Sequence, residues 1–204
     1  MTPDEIAALF TRASGDYAFA RWQRPIVPVV FGVDDATLAI LKGAIETVVA
    51  LAGHQMDETD PEQGANLMVF FVRDWAELLD VPDLDRLVGG LGPLVTRLSE
   101  ANANQYRHFR FESDGAIRAC VAFFCLDAAL ADTPADTVAL SLAVQVMLLW
   151  SDRAFADQSS LARHGDGVVV RPDIADLIRA AYQPAMPAVA SDPSHALRLA
   201  ARLA

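Results

Sequence analysis

Histidine, cysteine and paired carboxylates carry most side-chain chemistry, and this sequence spaces all three too widely for the familiar sites. Its four histidines, His54, His108, His164 and His195, include no His-x-x-x-His and no His-Glu pair. A helical zinc site needs two such ligands on one face with a base beside them. Cys120 and Cys125 stand in Arg118-Ala-Cys-Val-Ala-Phe-Phe-Cys125. On a strand that odd spacing puts them on opposite faces, roughly 16 Å apart, too far for a disulfide. Without a second pair, Cys-x₄-Cys is not a zinc signature, so both read as buried free thiols. Glu112 and Asp114 flank a turn at Ser113-Asp114-Gly115 and read as solvated, and His108 reads as a packing or surface residue. Gly89-Gly-Leu-Gly92 follows no strand and lacks the Gly-x-Gly-x-x-Gly spacing of a phosphate loop. Asp57-Glu58-Thr-Asp60-Pro-Glu62 lacks the alternating ligands and closing glutamate of a calcium loop. Gly-x-Ser-x-Gly is absent. With no metal-ligand, nucleophile or nucleotide motif, the chain leans away from an enzyme, and no metal or cofactor is expected.

The elements that would position any site are easier to read. Thr2-Pro3-Asp4-Glu5 opens a helix with a cap, a proline and first-turn acid. Pro25 to Gly32 is a β-branched run whose Pro28 assigns it to a sheet edge. Asp34 and Asp35 start a helix with Leu38, Leu41, Ile45 and Val48 at spacings of three and four, closed by Gly53. Leu67 to Val72 is a continuously apolar, buried strand. Asp74 to Leu79 makes a helical turn. Asp83 is expected to cap the next helix, which Gly89 to Pro93 kink or break. Tyr106 to Glu112 and Ala116 to Cys125 form a hairpin across Asp-Gly. Pro134 and Asp136 start a helix to about Trp150, apolar all round and therefore central. Residues 151–170 read as mixed loop, followed by helices from Pro172 to Tyr182 and from Ser191 to the end.

The chain has 204 residues, 53% hydrophobic and 21% charged, which suits one domain with a sizeable core and excludes disorder. Lys+Arg number 16 against 27 Asp+Glu, a net charge of −11. That balance argues against nucleic acid and anionic membrane surfaces as partners. From Gly43 to Asp85 the one lysine or arginine is Arg73. The longest apolar run, Val138 to Trp150, is too short to span a bilayer. Neither a basic n-region nor an apolar h-region opens the chain, so a cytoplasmic location is expected, or a periplasmic one if a leader has been removed.

In its second half the chain resembles a known family. Val144-Gln145-Val-Met-Leu-Leu-Trp150-Ser151-Asp152, then Ile174 to Pro184, with Arg21-Trp22 and Pro25-Ile26-Val27 earlier, is similar to a proteobacterial zincin-like, metallopeptidase-like family of unknown function. The resemblance spans residues 20–187 in element order. Helices and strands do not alternate strictly and the hairpin is antiparallel, so the element order gives an α+β class. The resemblance implies a helix-rich single domain in which a small mixed sheet, with that hairpin, packs on the central helix. Residues 1–19 and 188–204 would be appendages. Ser141 and Leu142 stand where the family has an acidic pair, and neither they nor Gln145 supply a zinc ligand or a base. Ser141 and Gln145, at i and i+4, share one helix face. With Asp152 and Tyr182 they define a candidate pocket, expected to bind a peptide or protein partner without cleaving it. The alternatives are packing roles, with Gln145 a hydrogen-bonded buried amide and Asp152 a helix-end or loop cap, an unrelated enzyme with a loop-built site, and a homo-oligomeric interaction module.

Overall fold

The computed structural model describes residues 1–165 and 167–203. In α1 (Pro3–Phe10) the Thr2 hydroxyl accepts from the Glu5 amide and the Glu5 carboxylate accepts from the Thr2 amide, a complete capping box. There follow β1 (Phe19–Ala20), β2 (Pro28–Phe31), α2 (Asp35–Leu51), β3 (Leu67–Val72) and a 3-10 helix (Trp75–Asp80). Next come α3 (Leu84–Val88), α4 (Leu91–Glu100), β4 (Gln105–Phe111), β5 (Ile117–Cys125), α5 (Ala128–Ala131) and α6 (Ala135–Met147). The chain ends with β6 (Leu161–His164), β7 (Gly167–Val170), α7 (Pro172–Ala181), β8 (Val189–Ala190) and α8 (Ser194–Ala200).

This is an α+β fold around a four-stranded mixed sheet of order β2-β3-β5-β4. The β2–β3 and β3–β5 pairs are parallel, and β4 closes the far side antiparallel to β5. Pro28, which lacks an amide donor, sits at the start of edge strand β2. Alternation along β3 and β5 divides the core in two. Val69, Phe71, Cys120, Ala122 and Phe124 join α2, α6 and α7, whereas Phe70, Val72, Val121 and Phe123 join the 3-10 helix, α3 and α4. Both faces of the central strands are covered, which is why β3 reads as an unbroken apolar run. Cys120 and Cys125 fall on opposite faces and are free thiols.

Four details differ from the sequence reading. Asp83 does not cap α3, because it adopts a left-handed conformation (φ 59°) and its side chain makes no cap bond. Asp85 instead accepts from the Leu91 amide at 2.8 Å and starts α4 after the break at Gly89 and Gly90. The central helix α6 stops at Met147, not Trp150, because Leu148 bridges Arg21 and the Leu149 amide donates to the Ala20 carbonyl. Residues 151–170, expected to be loop, contain the β6–β7 hairpin. The terminal segments are built into the core: β1 pairs with β8, and Ile6, Phe10, Ala196 and Leu199 lie in the larger apolar cluster.

Candidate functional site

Each residue of the sequence-derived pocket has a position in the fold. Within α6 the Gln145 amide donates to the Ser141 hydroxyl at 2.7 Å, and Gln145 is only 9% exposed. The Tyr182 hydroxyl, one residue past α7, donates to the Met147 carbonyl at 2.7 Å. Asp152 is exposed, and its carboxylate accepts from the Ala13 amide at 2.9 Å, which ties the loop after α6 to the turn after α1. Ser141 and Gln145 are therefore together, Tyr182 meets the end of the same helix, and Asp152 faces a different segment.

The physical reason lies in where α6 ends. A helix that terminates inside a core leaves its last four carbonyls without intrahelical partners. Here the Trp150 indole donates to Val144 (2.9 Å), the Trp22 indole to Val146 (2.8 Å) and the Tyr182 hydroxyl to Met147 (2.7 Å). Three aromatic residues from separate parts of the chain thus anchor one helix end. Arg21 stacks over the Tyr182 ring at 5.3 Å, and the His54 ring lies 5.1 Å away. His54 Nε2 is 2.9 Å from the Arg24 carbonyl, so that nitrogen carries the proton; burial, with Arg21 beside it, lowers the imidazole below its usual range. No group of three or more metal-ligating side chains converges among the described residues.

A second polar cluster lies at the amino ends of the parallel strands. Arg24 meets Asp60 (3.0 Å), Glu62 (3.3 Å) and Glu112, and Arg118 meets Glu62 (3.2 Å), beside a cavity of about 240 Å³. Burial tends to raise the Asp60 carboxyl. The Glu62 and Gln63 amides, Arg24 and the Asn66 amide overrule that and hold it at about 2. Asn66 in turn accepts from the Val27 amide and donates to the Pro25 carbonyl, both at 2.8 Å. These bonds clasp the acidic loop, while Arg118 Nε and Gln63 Nε2 are buried without a partner among the described residues.

The opposite, carboxyl ends of β2 and β3 are open. There a cavity of about 490 Å³ is bounded by Gly32, Thr37, Leu41, Phe71, Leu130 and Val138, with Asp34, Arg73 and Thr133 also on its lining. Gly32 makes the close approach of the β2 end to β3 possible, since its φ is +83° and a Cβ would lie 2.0 Å from the Phe71 carbonyl oxygen. A neighbouring groove of about 480 Å³ on the other side of the sheet shares Gly32 and Phe71 and is bounded by Phe31, Met68 and Leu84. Neither the carboxyl-end cavity nor the groove is lined by Ser141, Gln145, Asp152 or Tyr182. The sequence carried a signal for this site: a β-run ending in Gly32 and passing at once into the Asp34 cap, which is a strand-to-helix turn at a sheet's carboxyl end.

Comparison with protein-family models, curated proteins and solved structures finds no match for this chain.

Proposed function

We propose that this protein is a binding domain that accommodates a small, largely apolar ligand at the carboxyl ends of β2 and β3 and does not transform it. The observation that carries this reading is the cavity's position: about 490 Å³ at the end of a parallel pair, where open sheets present their crevice. Its walls are mostly aliphatic or aromatic, and the lining holds no histidine, cysteine or glutamate. The zincin-like resemblance belongs to the same proposal, as a scaffold in which α6 serves packing. The mixed sheet, its antiparallel edge hairpin and the buried helix agree with the element order that the resemblance implies. Among the described residues no helix is long and apolar enough to cross a membrane.

Titration with the fluorescent apolar probe anilinonaphthalene sulfonate tests the reading. Ala135, half-buried at the start of α6, lines the cavity. Ala135→Trp should abolish saturable probe binding while the fold persists, and Gln145→Ala should retain binding despite lower stability. Unaltered binding in Ala135→Trp, or no saturable binding by the unmodified protein, would overturn it. A second reading, a homo-oligomeric module, is favoured by the open edge of β2, where Phe31 is 45% exposed. Light scattering decides it, since a monomer at high concentration removes it.

A further inference from the structure

From the distribution of charge around the carboxyl-end cavity we infer that its ligand is an organic monoanion, an alkyl or aryl body ending in one carboxylate, with Arg73 as the anion's partner. The inference rests on the binding reading above and adds the ligand's class. Two ionisable groups line the cavity, Asp34 and Arg73. Asp34 is already engaged: its carboxylate accepts from the Thr37 amide at 2.8 Å at the start of the 17-residue α2. That amide bond holds the Asp34 carboxyl below its usual range. The positive end of the helix offsets its charge. Arg73 has no such compensation. It is exposed, forms no ion pair among the described residues, and is the one lysine or arginine between Gly43 and Asp85. Its main chain is fixed at the rim, where the Cys125 thiol donates to the Arg73 carbonyl at 3.5 Å and the Leu126 amide to the Val72 carbonyl at 2.8 Å.

Arg73 lines the cavity together with Thr37, Thr133 and eight apolar residues, and a guanidinium on such a wall matches an anionic head on an apolar body. Of the other acidic groups near the strand ends, Asp74 and Asp127 are helix caps like Asp34, whereas Glu77 is not and adds negative charge there. The overall charge of −11 would by itself favour a cation. A cationic probe must therefore be compared directly with an anionic one.

The experiment is calorimetric titration of the full chain with hexanoate, octanoate, octanol and octylammonium. Octanoate should bind about 10-fold more tightly than octanol, and each added methylene should tighten binding about 4-fold. Arg73→Gln should weaken octanoate about 10-fold and leave octanol unchanged, and Arg73→Lys should restore most of the loss. Equal binding of octanoate and octanol, an indifferent Arg73→Gln, or preference for octylammonium would overturn the anion assignment while the cavity reading stands. No binding by any of the four would overturn both.

Discussion

Acidification should loosen the seam where α8 docks, through one histidine. His195 is 3% exposed, its Nδ1 lies 2.8 Å from the Tyr17 hydroxyl, and its ring packs 4.3 Å from Phe19. Its Nε2 is buried without a partner among the described residues. Burial, with Arg198 on the same helix adding to it, lowers the imidazole from 6.5 to about 4. A folded-state value below the unfolded one means that the unfolded chain takes up the proton first. Stability from this group is thus complete above about pH 6.5 and is lost progressively down to about pH 4. At 1.36 kcal/mol for each pH unit between the two values, the loss amounts to about 3 kcal/mol. His54 and His108 are also lowered and act in the same direction, so the measurement must be a difference. Urea unfolding across this range should give a pH slope in the unmodified protein that falls by about 3 kcal/mol in total in His195→Leu. Asp60, whose carboxyl is held at about 2, contributes its own loss only below about pH 4. Identical slopes for the two proteins, or an NMR titration of His195 near 6.5, would refute the reasoning.

Gly32→Ala should destabilise the fold by several kcal/mol, since a Cβ 2.0 Å from the Phe71 carbonyl oxygen forces the β2–β3 pair apart; a midpoint in urea equal to that of the unmodified protein would contradict the close approach. Tyr182→Phe should lower stability by about 1–3 kcal/mol by leaving the Met147 carbonyl at the end of α6 without its donor. A neutral outcome in thermal unfolding would mean that this helix end is satisfied in another way.

Local chemistry placed most of the elements. The Thr2 capping box, the Asp34 cap, the alternation of the β4–β5 hairpin and the apolar run of β3 depend on neighbours within a few residues, so they were legible in order along the chain. The central position of α6 was legible too, because a helix apolar on every face can only be buried. Long-range pairing decided the rest. Nothing local tells that Leu148 and Leu149 leave α6 to join β1's neighbourhood, or that Trp22, Trp150 and Tyr182 donate to its last carbonyls. The Trp22 indole and the Val146 carbonyl, for example, lie 124 residues apart in the chain. Ser141, Gln145, Asp152 and Tyr182 could be singled out by type and position, yet the bond each makes depends on what the fold brings opposite. The carboxyl-end cavity is the clearest case. Gly32, Arg73 and Val138 share it only because β2 and β3 pair in parallel and α6 packs over α2. Its volume is enclosed by several segments, so the turn from Gly32 into the Asp34 cap marks where a cavity can open but not that one does.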